Sequence, residues 1–229
     1  MNLDSVSLIG KELQRPECVL CTKAGNLYVS DRGGGITTIR PDGSQTRTLA
    51  KDPGIDLVPN GIALMPDGSF LMAHLGKEDG GVFRLNSDRK LSPFCLEADG
   101  EALPPTNFVY LDTNGRVWIS VSTRIRPRAD AYRPNAGDGF IVMVEEGKAR
   151  IVADGIGYTN ECLVYPGGEW LYVNETFARR LSRFPIHADG SLGNKEVIAE
   201  FGEGTFPDGM AFDSAGGVWI VSIVSNRLI

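Results

Sequence analysis

The sequence predicts an all-β protein, a β-propeller of four-stranded antiparallel blades, and three observations carry that prediction. One phrase recurs five times: "PECVLCTKAG", "PNGIALMPDG", "TNFVYLDTNG", "TNECLVYPGG" and "PDGMAFDSAG", each with a polar residue eight positions before a glycine. Apolar residues stand two and four positions after each polar residue, which is the period of a strand and not of a helix. The polar anchors, Glu17, Asn60, Asn107, Asn160 and Asp208, recur at intervals of 43, 47, 53 and 48 residues. Repeats of roughly 40–50 residues that hold four short strands make propeller blades, whereas a stacked β-helix uses shorter repeats.

Within each unit the elements follow in order. The first strand starts at the anchor. It ends in "TKAG", "MPDG", "DTNG", "YPGG" or "DSAG", the Gly, Pro, Asn and Asp clusters that reverse a chain. A second strand follows each turn, and the third residue past the glycine is always large and apolar: Tyr28, Leu71, Trp118, Leu171 and Trp219. Third and fourth strands are legible in "GGITTIRPDGSQTRTLA" and "RLSRFPIHADGSLGNKEVIA", each a strand, a hairpin turn and a strand. The widest interval, 53, comes from an insertion, "STRIRPRADAYRPNAGDG", after the second strand of the third unit.

The fifth unit has 22 residues, Asp208 to Ile229, so the chain holds about four and a half blades. A five-bladed ring needs one more strand, which the N-terminal "SVSLIGKEL" could supply by closing the last blade. The expectation is one domain over residues 1–229, incomplete at its C-terminus, with the repeat count alone leaving open a closed five-bladed ring or a longer six-bladed one. Its exposed blade edges offer a route to oligomers, because an unpaired edge invites another strand.

Composition narrows the function. Hydrophobic content of 42% and charged content of 23% suit a globular domain, and a net charge of −6 argues against nucleic-acid or anionic-membrane partners. No apolar run approaches the roughly 18 residues of a membrane helix, and the N-terminus lacks a signal peptide's apolar core. A cytoplasmic location is expected. Of the four cysteines, Cys18 and Cys21 form a C-x-x-C, but no second pair follows. Cys21 occupies the repeat slot of Leu64, Leu111, Val164 and Phe212, and Cys162 that of Val19, Ile62, Val109 and Met210. Both are therefore expected to be small core hydrophobes, not ligands.

Equivalent positions in a ring converge on one mouth of its channel. Glu17, Asn60, Asn107, Asn160 and Asp208 all carry a side-chain oxygen, and mixed carboxylate and amide oxygens suit a hard divalent cation. Neither histidine falls at an anchor: His187 sits in a hairpin turn, and His74 ends a second strand. Turn-forming propensity alone explains one Asn or Asp at a strand entry, but it does not explain five anchors that include Glu17.

The segments "RPECVL", "TNFVYLDTNGRVWIS", "YTNECLVYPGGEWLYVNET" and "FPDGMAFDSAGGVWIVS" resemble the senescence marker protein, gluconolactonase and luciferin-regenerating enzyme family, the regucalcin-like lactonases. The resemblance spans essentially the whole chain. It implies a six-bladed propeller with one divalent cation, Ca²⁺ first and Zn²⁺, Mn²⁺ or Mg²⁺ as alternatives. It further implies Glu17, Asn160 and Asp208 as metal ligands, with Asn107 beside the metal or the substrate. The chain departs from the regucalcin pattern at Pro105 and Phe108, where an Arg and an Asp are expected, so the substrate need not be an aldonolactone.

The expected function is hydrolysis of a small-molecule lactone by metal-activated water, with Asp208 as the catalytic base. Asn107 and Asn60 are expected to contact substrate, joined by Arg124, Arg126 and Tyr132 from the insertion. The alternative is a non-catalytic propeller scaffold, which has no need of oxygens converging on one mouth. A Ser-His-Asp hydrolase is disfavoured, since no G-x-S-x-G elbow exists.

Overall fold

The eight-residue offset has a conformational cause. Gly25, Gly68, Gly115, Gly168 and Gly216 have φ between 80° and 87°, a left-handed conformation that a side chain disfavours. Asp67, Asp112 and Asp213 brace their turns by accepting the backbone N–H two residues on. Asp112 and Asp213 also accept the indole N–H of Trp118 and Trp219, each at 2.9 Å, which ties the turn to the second strand.

The computed structural model describes residues 6–229 and folds the repeats into five antiparallel sheets. Blade one comprises Val19–Cys21, Leu27–Asp31, Gly35–Ile39 and Gln45–Leu49. Blade two comprises Pro59–Leu64, Phe70–His74, Val82–Leu85 and Leu91–Cys95. Blade three comprises Thr106–Leu111, Val117–Val121, Gly139–Glu145 and Lys148–Ile156. Blade four comprises Thr159–Val164, Trp170–Glu175, Arg180–Pro185 and Glu196–Glu200. Blade five has three strands, Phe206–Phe212, Val218–Ile223 and Arg227–Leu228. Each sheet is a meander, with strands paired in chain order. The protein is thus an all-β propeller with five blades among the described residues. Among the described residues no helix is long and apolar enough to cross a membrane.

The core lies between neighbouring blades. Ile62, Trp118, Met143, Cys162 and Leu171 belong to one buried cluster, in which side chains of adjacent sheets interleave. Cys162 is fully buried, as its repeat slot implies. Cys21 is not: it is exposed, and this corrects the expectation drawn from its slot. The lower part of the first strand lines an open channel cavity of about 320 Å³, so its fourth residue has no blade to pack against. All four cysteines are free.

The N-terminal segment does not close the last blade. Its first residue, Ser5, lies outside the described residues, as does the start of the stretch read as lacking a signal peptide. Residues 6–10 form no strand. Lys11 instead exchanges two hydrogen bonds with the side chain of Gln45 on the outer strand of blade one, at 3.1 and 2.8 Å. Glu12 and Arg15 have φ of 52° and 49°, which breaks the extended run that a closing strand requires.

Candidate metal and substrate site

Four anchors sit in breaks of strand register. In blades two to five the pairing of the first two strands shifts between Pro59 and Ile62, Thr106 and Phe108, Thr159 and Cys162, and Pro207 and Met210. Asn60, Asn107, Asn160 and Asp208 lie inside these irregularities. A bulge re-aims a side chain out of the pleat, and here it turns one polar side chain per blade towards the axis. Glu17 reaches the same place from just before its strand.

The five anchors come together. Glu17, Asn60, Asn107, Asn160 and Asp208 all line one cavity of about 450 Å³, with Arg15, Arg128, Tyr132, Tyr158, Thr176 and Phe177 among the other walls. Tyr132 stacks on Phe177 with ring centres 4.7 Å apart, and Tyr158 meets both rings edge-on.

Hydrogen bonds decide which atoms remain available. Asn60 donates its amide N–H to the Asn107 carbonyl at 2.8 Å, which leaves its Oδ1 buried without a partner. The Oδ1 of Asn107 is buried and unpartnered as well. The amide nitrogen of Asn160 donates to Thr176 Oγ1 at 3.0 Å and to Asp208 Oδ1. Thr176 in turn donates to the Pro207 carbonyl, and Asn174 donates to the Asp208 carbonyl at 2.7 Å. The amide nitrogens of Asn60, Asn160 and Asn174 are thus spent on backbone carbonyls, Thr176 and Asp208.

Electrostatics sharpen the picture. Burial, and then the negative charge of Glu17, push the Asp208 carboxyl up to about 6. One layer below the anchors, burial pushes Glu161 up to about 8, against a single N–H from Met210 at 2.7 Å. Glu17 pairs with Arg15 at 3.1 Å.

These residues fit a hard cation. Among the described residues no three His, Cys, Asp or Glu side chains form a group that could hold a metal. The set available is two carboxylates with amide oxygens, and an unpartnered buried amide oxygen is costly unless a hydrogen-bond donor or a cation satisfies it. An all-oxygen donor set is what Ca²⁺ takes at ~2.3–2.6 Å.

The insertion is only partly as expected. Tyr132 lines the cavity; Arg124 and Arg126 do not. Arg124 pairs with Asp154 at 2.9 Å and covers the Phe140 ring at 4.0 Å, so it braces the loop. Arg126 is exposed. Arg128, two residues on, reaches the cavity instead. The placement is set by Asp138, which receives Thr123 Oγ1 and the backbone N–H groups of Arg124 and Ile125. Sequence reasoning also missed Arg15, Tyr158, Thr176 and Phe177. Arg15 and Tyr158, each two residues before an anchor, had a positional signal. His74 is buried, accepts the Val58 N–H at 3.0 Å and takes no part in the site.

Residues 15–229 match the model of the SMP-30/Gluconolactonase/LRE-like region. The chain is 31% identical over 210 residues to 6-deoxy-6-sulfogluconolactonase of Pseudomonas putida, a match covering 90% of this chain and 64% of that protein. It is 30% identical over 164 residues to pentonolactonase XacC of Haloferax volcanii, covering 69% of this chain and 50% of that one. The chain therefore spans between half and two thirds of the length of these relatives. Its fold superimposes on regucalcin of Agrobacterium tumefaciens, described as a calcium-binding protein, with a TM-score of 0.70 at 22% identity, covering 92% of this chain and 68% of that one.

Proposed function

The chain belongs to the SMP-30/gluconolactonase/LRE-like family, and on that premise we propose that it hydrolyses a lactone at the cavity lined by the five anchors, with the aid of one divalent cation. The observation that carries this reading is the convergence of Asn60 and Asn107, whose amide oxygens are buried and without a hydrogen-bond partner, with Glu17 and Asp208 in the walls of one cavity. Two relatives are named for sugar lactones, one of them sulfonated. A scaffold leaves these orphaned oxygens without a purpose.

Glu17, Asp208 and the amide oxygen of Asn160 would hold the cation, with Asn107 next to it. When bound, it would polarise the lactone carbonyl as a Lewis acid and make a water more acidic. The remaining work falls to the chain. Asp208 takes the proton of the attacking water, and a carboxylate raised towards neutrality is suited to that role. Asn160 holds Asp208 Oδ1 in place, and Thr176 and Asn174 hold Asn160 and the Asp208 backbone. Asn60 and Asn107 accept substrate hydroxyls, and Tyr132 on Phe177 offers a flat apolar face for the ring. Phe108, where the family pattern has an Asp, is buried and packs against Gly61, whose lack of a Cβ makes room for it.

The test is pH-stat hydrolysis of a panel of γ- and δ-lactones after chelation, with Ca²⁺, Zn²⁺, Mn²⁺ or Mg²⁺ restored in turn. Activity should need a cation. Asp208→Asn should keep partial cation binding and lose hydrolysis, whereas Glu17→Gln should weaken cation binding. Full activity in chelator, or in Asp208→Ala, overturns the reading.

A further inference from the structure

Arg128 stands out among the charged residues of the cavity. It lines the wall, and among the described residues it makes no ion pair and no side-chain hydrogen bond. Arg15, the other arginine there, is paired with Glu17. A guanidinium without a carboxylate, half-buried beside an aromatic wall, is a poor structural element. Its planar fork is suited to receiving an oxyanion.

The loop that presents it is pinned. Asp138 clamps the near end through Thr123, Arg124 and Ile125, and Arg124 is itself fixed by Asp154. Ala131 and Ala136 are buried against Tyr158, Ile125 and Phe177. Arg128 therefore projects from a rigid segment and needs little ordering when a ligand arrives.

Charge points the same way. The walls bear two carboxylates, Glu17 and Asp208, and two guanidinium groups, Arg15 and Arg128. Once a divalent cation offsets the two carboxylates, the two arginines leave the cavity positive, although the chain as a whole carries −6. A positive cavity in an acidic protein selects anionic ligands.

From this we infer that Arg128 determines specificity by binding an anionic group, a sulfonate, phosphate or carboxylate, at the end of the substrate remote from the ring carbonyl. The inference deepens the lactonase reading and rests on it for the reaction, but the anion site itself is open to test without any lactone.

The first measurement is calorimetric titration with sorbitol 6-phosphate and with sorbitol, neither of which can be hydrolysed. The phosphate ester should bind about tenfold or more tightly than the neutral polyol, the scale of one charge-assisted contact. Arg128→Gln should remove that difference, and Arg128→Lys should restore part of it. The second compares kcat/KM for glucono-δ-lactone with its 6-phospho, 6-deoxy-6-sulfo and 6-carboxyl counterparts, which identifies the anion. The anionic-to-neutral ratio should exceed one for at least one anion and should fall about tenfold in Arg128→Gln. Equal binding of both polyols by the wild type overturns the inference. So does an Arg128→Gln variant, folded by circular dichroism, that loses activity equally on charged and neutral lactones. If no lactone is hydrolysed but the phosphate ester binds in an Arg128-dependent way, the reaction reading fails and the anion site stands.

Discussion

At the scale of single residues, the chain separates groups that titrate from groups that are sealed. Burial pushes the Cys18 thiol up to about 12 and that of Cys95 up to about 11, and it raises Cys162 as well, so none of the three offers a thiolate near neutrality. Cys21 alone is exposed. Ellman's reagent should therefore label one thiol rapidly in the folded protein and four after unfolding, and Cys21→Ser should remove the rapid phase. Glu161 makes a second prediction, on pH. Its carboxyl ionises near 4.5 when unfolded and is held protonated up to about 8 in the fold. Between those values the folded state binds more protons, so stability declines as pH rises, by an amount of order a few kcal/mol across the window. Asp208 adds the same sign between 3.8 and about 6. Thermal melts of the metal-free protein should fall from pH 5 to pH 8.5. Glu161→Gln should flatten the decline above pH 6; an unchanged slope would mean that the carboxyl ionises freely in the channel.

At the scale of elements, what the sequence made legible had local causes. The glycine at the eighth position answers a φ near 80°, and the alternation that follows it answers the pleat. Those causes are written in the residues themselves, so the strands, the turns and the convergence of the five anchors could be read directly. The bulges at the anchors could not, because register depends on the partner strand. Nor could the choice between Arg124, Arg126 and Arg128, because Asp138 sets the path of the loop from as many as 15 residues away. This long-range clamp gives an element-scale prediction. Asp138→Ala leaves Thr123, Arg124 and Ile125 without their common acceptor and should loosen residues 122–139. Trypsin should then cut after Arg124 or Arg128, neither of which is followed by proline, well before the blades, while the wild type resists. Far-ultraviolet circular dichroism should be unaltered, since every strand retains its own pairing.

At the scale of the whole molecule, equivalent residues report which blade faces are covered. The second residue after the anchor points to one side of its blade: Ile62, Val109 and Cys162 are at most 1% exposed there, but Val19 is 61% exposed. The third residue past the turn glycine points to the other side in blades two, three and five: Leu71 and Trp118 are fully buried, but Trp219 is 40% exposed. Trp219 keeps the same hydrogen bond to its turn aspartate as Trp118, so the difference is one of neighbours and not of local structure. Blade five thus presents an uncovered apolar face, whereas on blade one only the first strand is open: Val29 and Ile39, on the same face as Val19, are 4% and 3% exposed. The face of blade five forms a concavity of about 580 Å³ with Trp219, Val221, Ile223 and Leu228 in its walls, and no polar anchor enters it. An exposed apolar face of this kind invites a second copy of the chain. The 229-residue chain should therefore associate with increasing concentration, with sedimentation coefficients that climb and Trp219 fluorescence that moves to the blue. Replacing Trp219 and Val221 with lysine should leave a monomer, because charges on that face repel the partner while the buried side of the sheet, at Met210 and Ile220, is untouched. A wild type that sediments as a monomer at all concentrations, or a double variant that associates equally well, would show that this face does not drive assembly.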